Sequence, residues 1–294
     1  MLAYWLLAPL IYLLAYLPTP VLLHIADFLA FVLRDIIRYR KKVIERNLLA
    51  SFPEKSTQER QAIARQFYTH LADRVIENIR CIGISREEFL SRCTIPKIEE
   101  LHRYYAEGRH IVVLLAHCGA WEWAGYSACA LLKHKIYGVY APVTNPYFNR
   151  LVVNTRAQYG MNLISMRETG DYFRQKPEEP TLHIFFTDQS PKRADNAYWT
   201  TFLHQDTPFF YGGARYAIAH ECVVLYINIR QKKRGYFETS FSLITEQANL
   251  LTEDEIVQTF SEKLEQQIRE SPADWLWSHK RWKHQRNPQA AERF

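Results

Sequence analysis

Residues 111–122 read IVVLLAHCGAWE. Ile111 to Ala116 is a continuous apolar run, the pattern of a strand buried on both faces. Trp121 to Leu132 then reads as a helix, which leaves His117-Cys118-Gly119-Ala120 as the turn between them. His117 is therefore expected at the carboxyl end of a strand, where open α/β sheets bind ligands. Gly119 permits a tight turn or the close approach of a substrate. Outward from this stretch, Lys135 to Tyr140 reads as a strand and Asn145 to Tyr159 as a helix. Leu182 to Phe186 and Val223 to Ile229 read as further buried strands, and Tyr236 to Leu243 alternates like an edge strand. Thr252-x-x-Glu255 is a capping box opening a last helix to about Glu270. This alternation predicts an α/β fold with a mostly parallel central sheet flanked by helices.

Upstream the period is helical. Arg34 to Ala50 reads as one helix, ended by Phe52-Pro53. Ser56-x-x-Glu59 opens a long helix to about Arg80, and Ser85-x-x-Glu88 a shorter one. Met1 to Leu17 holds no charged residue, and Tyr4, Trp5, Tyr12 and Tyr16 supply its only polar handles. As a helix it reaches about 26 Å, slightly short of the ~30 Å hydrocarbon core of a bilayer. Pro9 would kink it. Pro18-Thr19-Pro20 breaks it, and Val21 to Leu33 continues as a second apolar stretch carrying His24 and Asp27. No basic region precedes the run and no small-residue cleavage site follows, which disfavours a signal peptide. A buried core hairpin is the plain alternative. A membrane anchor, spanning or monotopic, fits better, because Arg34, Arg38, Arg40, Lys41, Lys42 and Arg46 follow directly and favour a cytoplasmic main domain. The expected organisation is an anchor over 1–33, a helical section over 34–109 and an α/β catalytic section over 110–294.

The composition of the 294-residue chain, 48% hydrophobic and 14% aromatic, excludes disorder. Its five cysteines form no C-x2-C pair, so neither a zinc ribbon nor a redox motif is supported, and they read as reduced thiols. The formal charge of +6 is mild, but its distribution is informative. The tail from His279 to Arg286 carries Lys280, Arg281, Lys283 and Arg286 with no acid. Basic clusters attract nucleic acid or anionic lipid. With interleaved Trp282, an apolar amino terminus and no recognisable nucleic-acid fold, the membrane interface is the better reading. His279 and His284 are poorly spaced for a metal, with no Cys or acid beside them. The chain has no P-loop, dinucleotide fingerprint or nucleophile elbow. No metal or organic cofactor is expected.

The chemistry centres on His117 and Glu122. On one straight helix this offset would point the two side chains ~140° apart, but across a strand–turn–helix junction they can converge. A carboxylate on one imidazole nitrogen fixes the tautomer and frees the other nitrogen as a base. Such a base can deprotonate a hydroxyl or amine for attack on an acyl carbonyl. The alternative is that His117 caps the helix and Glu122 merely favours its macrodipole. HCGAWE resembles the His-x4-acid motif of bacterial lipid A acyltransferases of the lauroyl/myristoyl type, relatives of the glycerolipid acyltransferases in the lysophospholipid acyltransferase-like superfamily. Arg46-Asn47-Leu48 with Phe52-Pro53, Tyr140-x-Pro142 with Asn145-Pro146, Asp188-Gln189, and Phe202-Leu203 with Pro208 are similar to further blocks of that family. So is Trp275-x-Trp277-x-His279-x-Arg281-Trp282-Lys283. The motif alone is weakly specific, whereas all six blocks in order are strongly specific. Two positions depart from the family pattern: Ala120 stands where Asn is usual and Ala141 where Arg is usual, which bears on the acceptor more than on the reaction.

The resemblance implies an acyltransferase of the bacterial inner membrane with its catalytic part on the cytoplasmic face. The implied donor is an acyl carrier protein thioester, and the acceptor is a hydroxyl of a lipid A precursor or another glycolipid. His117 would be the general base and Glu122 its orienting partner. Arg156 falls where a site arginine is implied, able to hold an oxyanion or a substrate phosphate. Gly119, Asn145, Asp188 and Gln189 are the expected substrate-binding residues. Asp188 ends a strand on the same edge, and Lys192 and Arg193 follow it toward an acidic carrier or a phosphorylated sugar. A covalent route through Cys118 is a rival mechanism. A non-catalytic lipid-binding protein of the same fold is the rival function.

Overall fold

The computed structural model describes residues 2–286; Met1, at the head of the apolar run, lies outside the described residues. The chain opens with a helical hairpin, α1 (Leu2–Ala15) and α2 (Thr19–Phe31), and a π-helical turn (Val32–Ile36). Then come α3 (Lys41–Ser51), α4 (Thr57–Arg80) and α5 (Arg86–Arg92). Strands and helices follow: β1 (Cys93–Thr94), α6 (Ile98–Ala106), β2 (Ile111–Leu115), α7 (Trp121–Leu131), β3 (Lys135–Tyr140), α8 (Pro146–Ala157), β4 (Asn162–Ser165) and α9 (Thr169–Tyr172). The last third holds β5 (Thr181–Phe186), a separate hairpin of β6 (Tyr198–Phe202) and β7 (Gln205–Phe209), α10 (Gly212–Ala219), β8 (Val223–Lys233), β9 (Tyr236–Thr245) and α11 (Glu253–Glu270).

The main sheet runs β1-β9-β8-β2-β5-β3-β4. Every neighbouring pair is parallel except the β8–β9 hairpin. The apolar run that announced the fold is its central strand: all of β2 is buried between β5 and β8. Its period of two feeds both faces. Val112 and Leu114 join a core with Phe185, Tyr226, Phe260 and Leu264, while Ile111, Val113 and Leu115 join another with Trp123, Tyr126, Leu182 and Ile184. Helices cover both sides, as a parallel sheet requires. α3 and α4 contribute Ile44, Leu48, Phe67 and Tyr68 to the first of these cores.

The caps at Ser56 and Thr252 close as reciprocal boxes. At Ser85 the cap runs one way: its hydroxyl accepts from the Glu88 N–H, but the Glu88 carboxylate faces Thr19, Arg80 and Arg92 instead. Two guanidiniums outcompete one backbone amide for a carboxylate. The expected continuous helix over 34–50 is interrupted. Arg38 and Arg40 adopt left-handed φ of 53° and 51°. The interruption is held by the Tyr39 N–H donating to the Leu33 carbonyl and by the Tyr68 hydroxyl donating to the Tyr39 carbonyl (2.8 Å each).

The amino-terminal hairpin lies on α4. Leu22, Ala26 and Ala30 pack against Ala72 and Ile76, small residues that let the helices approach closely. Arg234 clamps the contact, ion-paired to Asp27 (2.7 Å) and Asp73 (2.6 Å). The outward side is mostly apolar, with Trp5, Leu13, Tyr16 and Phe28 all largely exposed, and His24 and Asp27 are exposed beside them. Among the described residues no helix is long and apolar enough to cross a membrane.

Two buried histidines and one half-buried make stability depend on pH. Burial pulls His134 and His279 down to about 4 and His183 down to about 3, from 6.5. The unfolded chain therefore binds protons that the folded one refuses, and stability falls as pH drops from 6.5 toward 4. Thermal melts across that window should show a falling Tm, and His183→Gln should flatten the slope. A Tm independent of pH there would contradict the assignment.

Candidate active site

Strand register brings the site together. Leu115 at the end of β2 stands opposite Phe186 at the end of β5. Two residues further along each parallel strand lie His117 and Asp188, side by side on the carboxyl edge of the sheet. Asp188 is buried and receives three hydrogen bonds: from the His117 ring Nδ1 (2.8 Å), the His117 backbone N–H (3.0 Å) and the Trp275 indole (2.9 Å). Burial alone would raise its pKa. The positive charge of His117 and these donors outweigh burial and hold the carboxyl below its ordinary range. A carboxylate only accepts, so Nδ1 carries a proton, and in the neutral ring Nε2 then holds the lone pair. The Gln189 side-chain amide lies 3.3 Å from Nε2, placed to donate to it. Phe186 and Trp121 wall the imidazole, with ring centroids at 4.3 and 5.3 Å.

The turn after His117 needs its glycine. Gly119 has a φ of +62°, and a Cβ there would lie 2.9 Å from the Ile229 carbonyl oxygen. Cys118 points away from solvent, and burial followed by the nearby Asp188 charge pushes its thiol well above the usual range.

The carboxylate that holds His117 is that of Asp188, not the expected Glu122. Glu122, in the first turn of α7, meets Arg156 from the last turn of α8 in a bidentate pair, Nε to Oε2 at 3.0 Å and Nη2 to Oε1. The reason is topological. The strand–turn–helix junction sends the two side chains to different neighbours, and β5 delivers a carboxylate directly beside the ring. Asn145 caps α8, its side-chain oxygen accepting from the Tyr147 and Phe148 amides (3.0 and 3.4 Å). Lys192 and Arg193 follow Asp188 in the chain, and exposed Arg193 pairs with Asp195.

Two residues of the carboxyl-terminal signature wall the site from behind. Trp275 holds Asp188, and the His279 Nε2 accepts from the Ser190 N–H (3.1 Å). Burial keeps His279 neutral, as that acceptor role demands. His284 takes a different partner, the Pro191 carbonyl (2.7 Å). No spacing rule could have joined this segment to Asp188. The order of the blocks alone marked it.

Beside the imidazole lies a narrow cavity with about 40 Å³ of free space. The Glu122–Arg156 pair, Trp121 and Phe186 belong to its lining, and Leu115, Ile184, Ile227 and Phe241 make much of the rest apolar. Met161 crosses it beneath α7: a Cβ on Gly125 would stand 2.8 Å from the Met161 methyl carbon.

An imidazole held by a carboxylate at a sheet edge, next to an apolar cavity with a guanidinium in its lining, is equipment for acyl transfer. Residues 1–284 match the family model of the bacterial lipid A biosynthesis acyltransferases, and the chain belongs to that family and is an acyltransferase. A search of curated proteins finds no match.

Asp188→Asn should keep the fold but lower turnover by on the order of 10²–10⁴-fold, because the amide offers its NH2 to Nδ1 and stabilises the wrong tautomer. Cys118→Ala should retain most activity. Steady-state rates of both variants check this, and a dead Cys118→Ala with a trapped acyl-cysteine would reverse the assignment.

Proposed function

We propose that this acyltransferase moves a fatty acyl chain from an acyl carrier protein thioester to a hydroxyl of a lipid A precursor, at the cytoplasmic face of the bacterial inner membrane. The observation that carries the reading is the His117–Asp188 pair beside the apolar cavity. The acyl chain packs at the apolar mouth of the cavity, which widens to admit it, and brings its thioester carbonyl toward His117. The acceptor hydroxyl replaces the Gln189 amide at Nε2 and gives up its proton there as its oxygen bonds to the carbonyl carbon. Asp188 stabilises the imidazolium that forms. The tetrahedral oxyanion collapses with cleavage of the carbon–sulfur bond, and the departing thiolate takes the proton from His117.

Arg156, with its fork aligned by Glu122, supplies positive charge for the oxyanion. Glu122 thus serves the histidine's reaction through the arginine, the place in the mechanism that its geometry favours. No acyl-enzyme is needed, and the raised pKa of the Cys118 thiol makes it a poor nucleophile.

The amino-terminal hairpin supports a monotopic attachment. α1 has 14 residues, which span about 21 Å, less than the ~30 Å hydrocarbon core. Its exposed aromatic and aliphatic residues suit the headgroup and upper acyl region. An acceptor with several long chains leaves a bilayer only at ~0.8 kcal/mol per CH2, so the enzyme must go to it.

The purified enzyme with acyl carrier protein thioester and a lipid A precursor should yield an acceptor heavier by one acyl group in mass spectra. His117→Ala should lose about 10²–10⁴-fold in turnover. Arg156→Lys should lose on the order of 10²-fold in kcat, because an ammonium does not reproduce the fork. Acylation of a different lipid, with the precursor untouched, would replace the proposed acceptor. Full activity in His117→Ala would remove this site from the reaction.

A further inference from the structure

Away from the sheet edge, α3, α4 and the π-helical turn enclose an open hollow with about 700 Å³ of free space. Five cations line it, Arg34, Arg38, Lys41, Arg60 and Arg65, against the carboxylates of Asp35 and Glu45. Three of the five are engaged. Arg34 is bound to Asp35, Lys41 leans on Glu45 at 3.7 Å, and Arg60 donates to backbone carbonyls of its own loop. Arg38 and Arg65 have no side-chain hydrogen bond, ion pair or ring contact among the described residues. Both stand near enough to Asp35 to add to the pull of Arg34 on its carboxyl. They come from different elements, Arg38 from the left-handed break before α3 and Arg65 from the middle of α4. Beneath them the bed is apolar, with Ile44 and Leu48 fully buried and Leu49 more than half exposed. The chain enters this hollow directly from the apolar hairpin, through exposed Phe28, Phe31, Ile36 and Ile37.

We propose that this hollow is a binding site for the phosphate headgroup of an anionic membrane phospholipid, with Arg38 and Arg65 as the phosphate ligands. The proposal rests on the monotopic membrane reading. Guanidinium forks match phosphate oxygens bidentately. An apolar bed beneath a cationic rim complements a headgroup with the first carbons of its acyl chains. The concavity also separates this occupant from an acidic protein, whose carboxylates lie spread over a convex face. The opposite side of α3 holds the site's back wall: the Asn47 amide donates to the Trp277 and His279 carbonyls (2.9 and 3.0 Å), and Arg40 to the Ser278 carbonyl (2.9 Å). A lipid bound in the hollow would thus orient the sheet edge relative to the bilayer through a single helix.

Lys42 and Arg46 sit on the same helix outside the hollow, so Lys42→Gln/Arg46→Gln removes the same charge without touching it. The experiment is flotation of the full-length protein with vesicles of phosphatidylcholine alone, or with about one-fifth phosphatidylglycerol. Wild type should float with both and gain at least about tenfold in affinity from the anionic lipid. Arg38→Gln/Arg65→Gln should float with phosphatidylcholine like wild type and lose that gain, while the control pair keeps most of it. Equal losses in both pairs would mean diffuse surface attraction and overturn the site. Loss of acyl carrier protein binding by Arg38→Gln/Arg65→Gln, with the vesicle gain intact, would assign the hollow to a protein and also overturn it. Failure of wild type to float with either vesicle would instead sink the membrane reading itself.

Discussion

One buried carboxylate joins three distant stretches of chain. Asp188 takes hydrogen bonds from the turn after β2 and from the carboxyl-terminal segment while sitting at the end of β5. Burying a carboxylate is costly unless its oxygens are satisfied and a positive group stands near. Here three donors and the imidazole do both. The arrangement also sets the imidazole's tautomer and rotamer, so the geometry of the site and the docking of the last segment depend on the same atom pair. Truncating Asp188 would leave two N–H groups and an indole without partners in a closed space.

A second joint stands across the cavity. Glu122 and Arg156 tie the start of α7 to the end of α8, two helices that each follow a strand of the sheet. Bidentate pairing fixes the plane of the guanidinium, so the charge offered to the cavity has a defined direction. The apolar lining keeps that charge little screened. The two carboxylates near the site therefore divide the work: Asp188 orients the proposed base, and Glu122 orients the proposed oxyanion donor.

The amino-terminal helices are part of the body. Arg234, at the turn between β8 and β9, grips Asp27 of α2 and Asp73 of α4, so the sheet, the hairpin and the long helix share one guanidinium. Alanines on both helices allow the close contact that this clamp secures. Most of the residues left facing outward are apolar, and α3 faces the basic hollow on one side and the site's back wall on the other. This construction is what the proposed attachment to a lipid surface needs.

Much of this was legible in the amino-acid sequence. The run IVVLLA marked the central strand because only a strand covered on both faces tolerates unbroken β-branched apolar residues. Ser56 and Thr252 marked helix starts because capping chemistry is local. His117, Glu122, Arg156 and Asp188 stood out from motif order, and the structure makes two pairs of them, His117 with Asp188 and Glu122 with Arg156, the second lining the cavity. Pairing was a different matter. Which carboxylate meets His117 depends on β2 lying beside β5, strands about seventy residues apart whose register is a property of the sheet. The left-handed break at Arg38 and Arg40 arises from a tyrosine hydroxyl on another helix. The role of Trp275 needs a segment folded back across the whole domain. Local propensities and periodicity determine elements, because their physics acts within a few residues. Only the tertiary structure decides which donors meet which acceptors, because a buried charge is satisfied by whatever the topology brings near it.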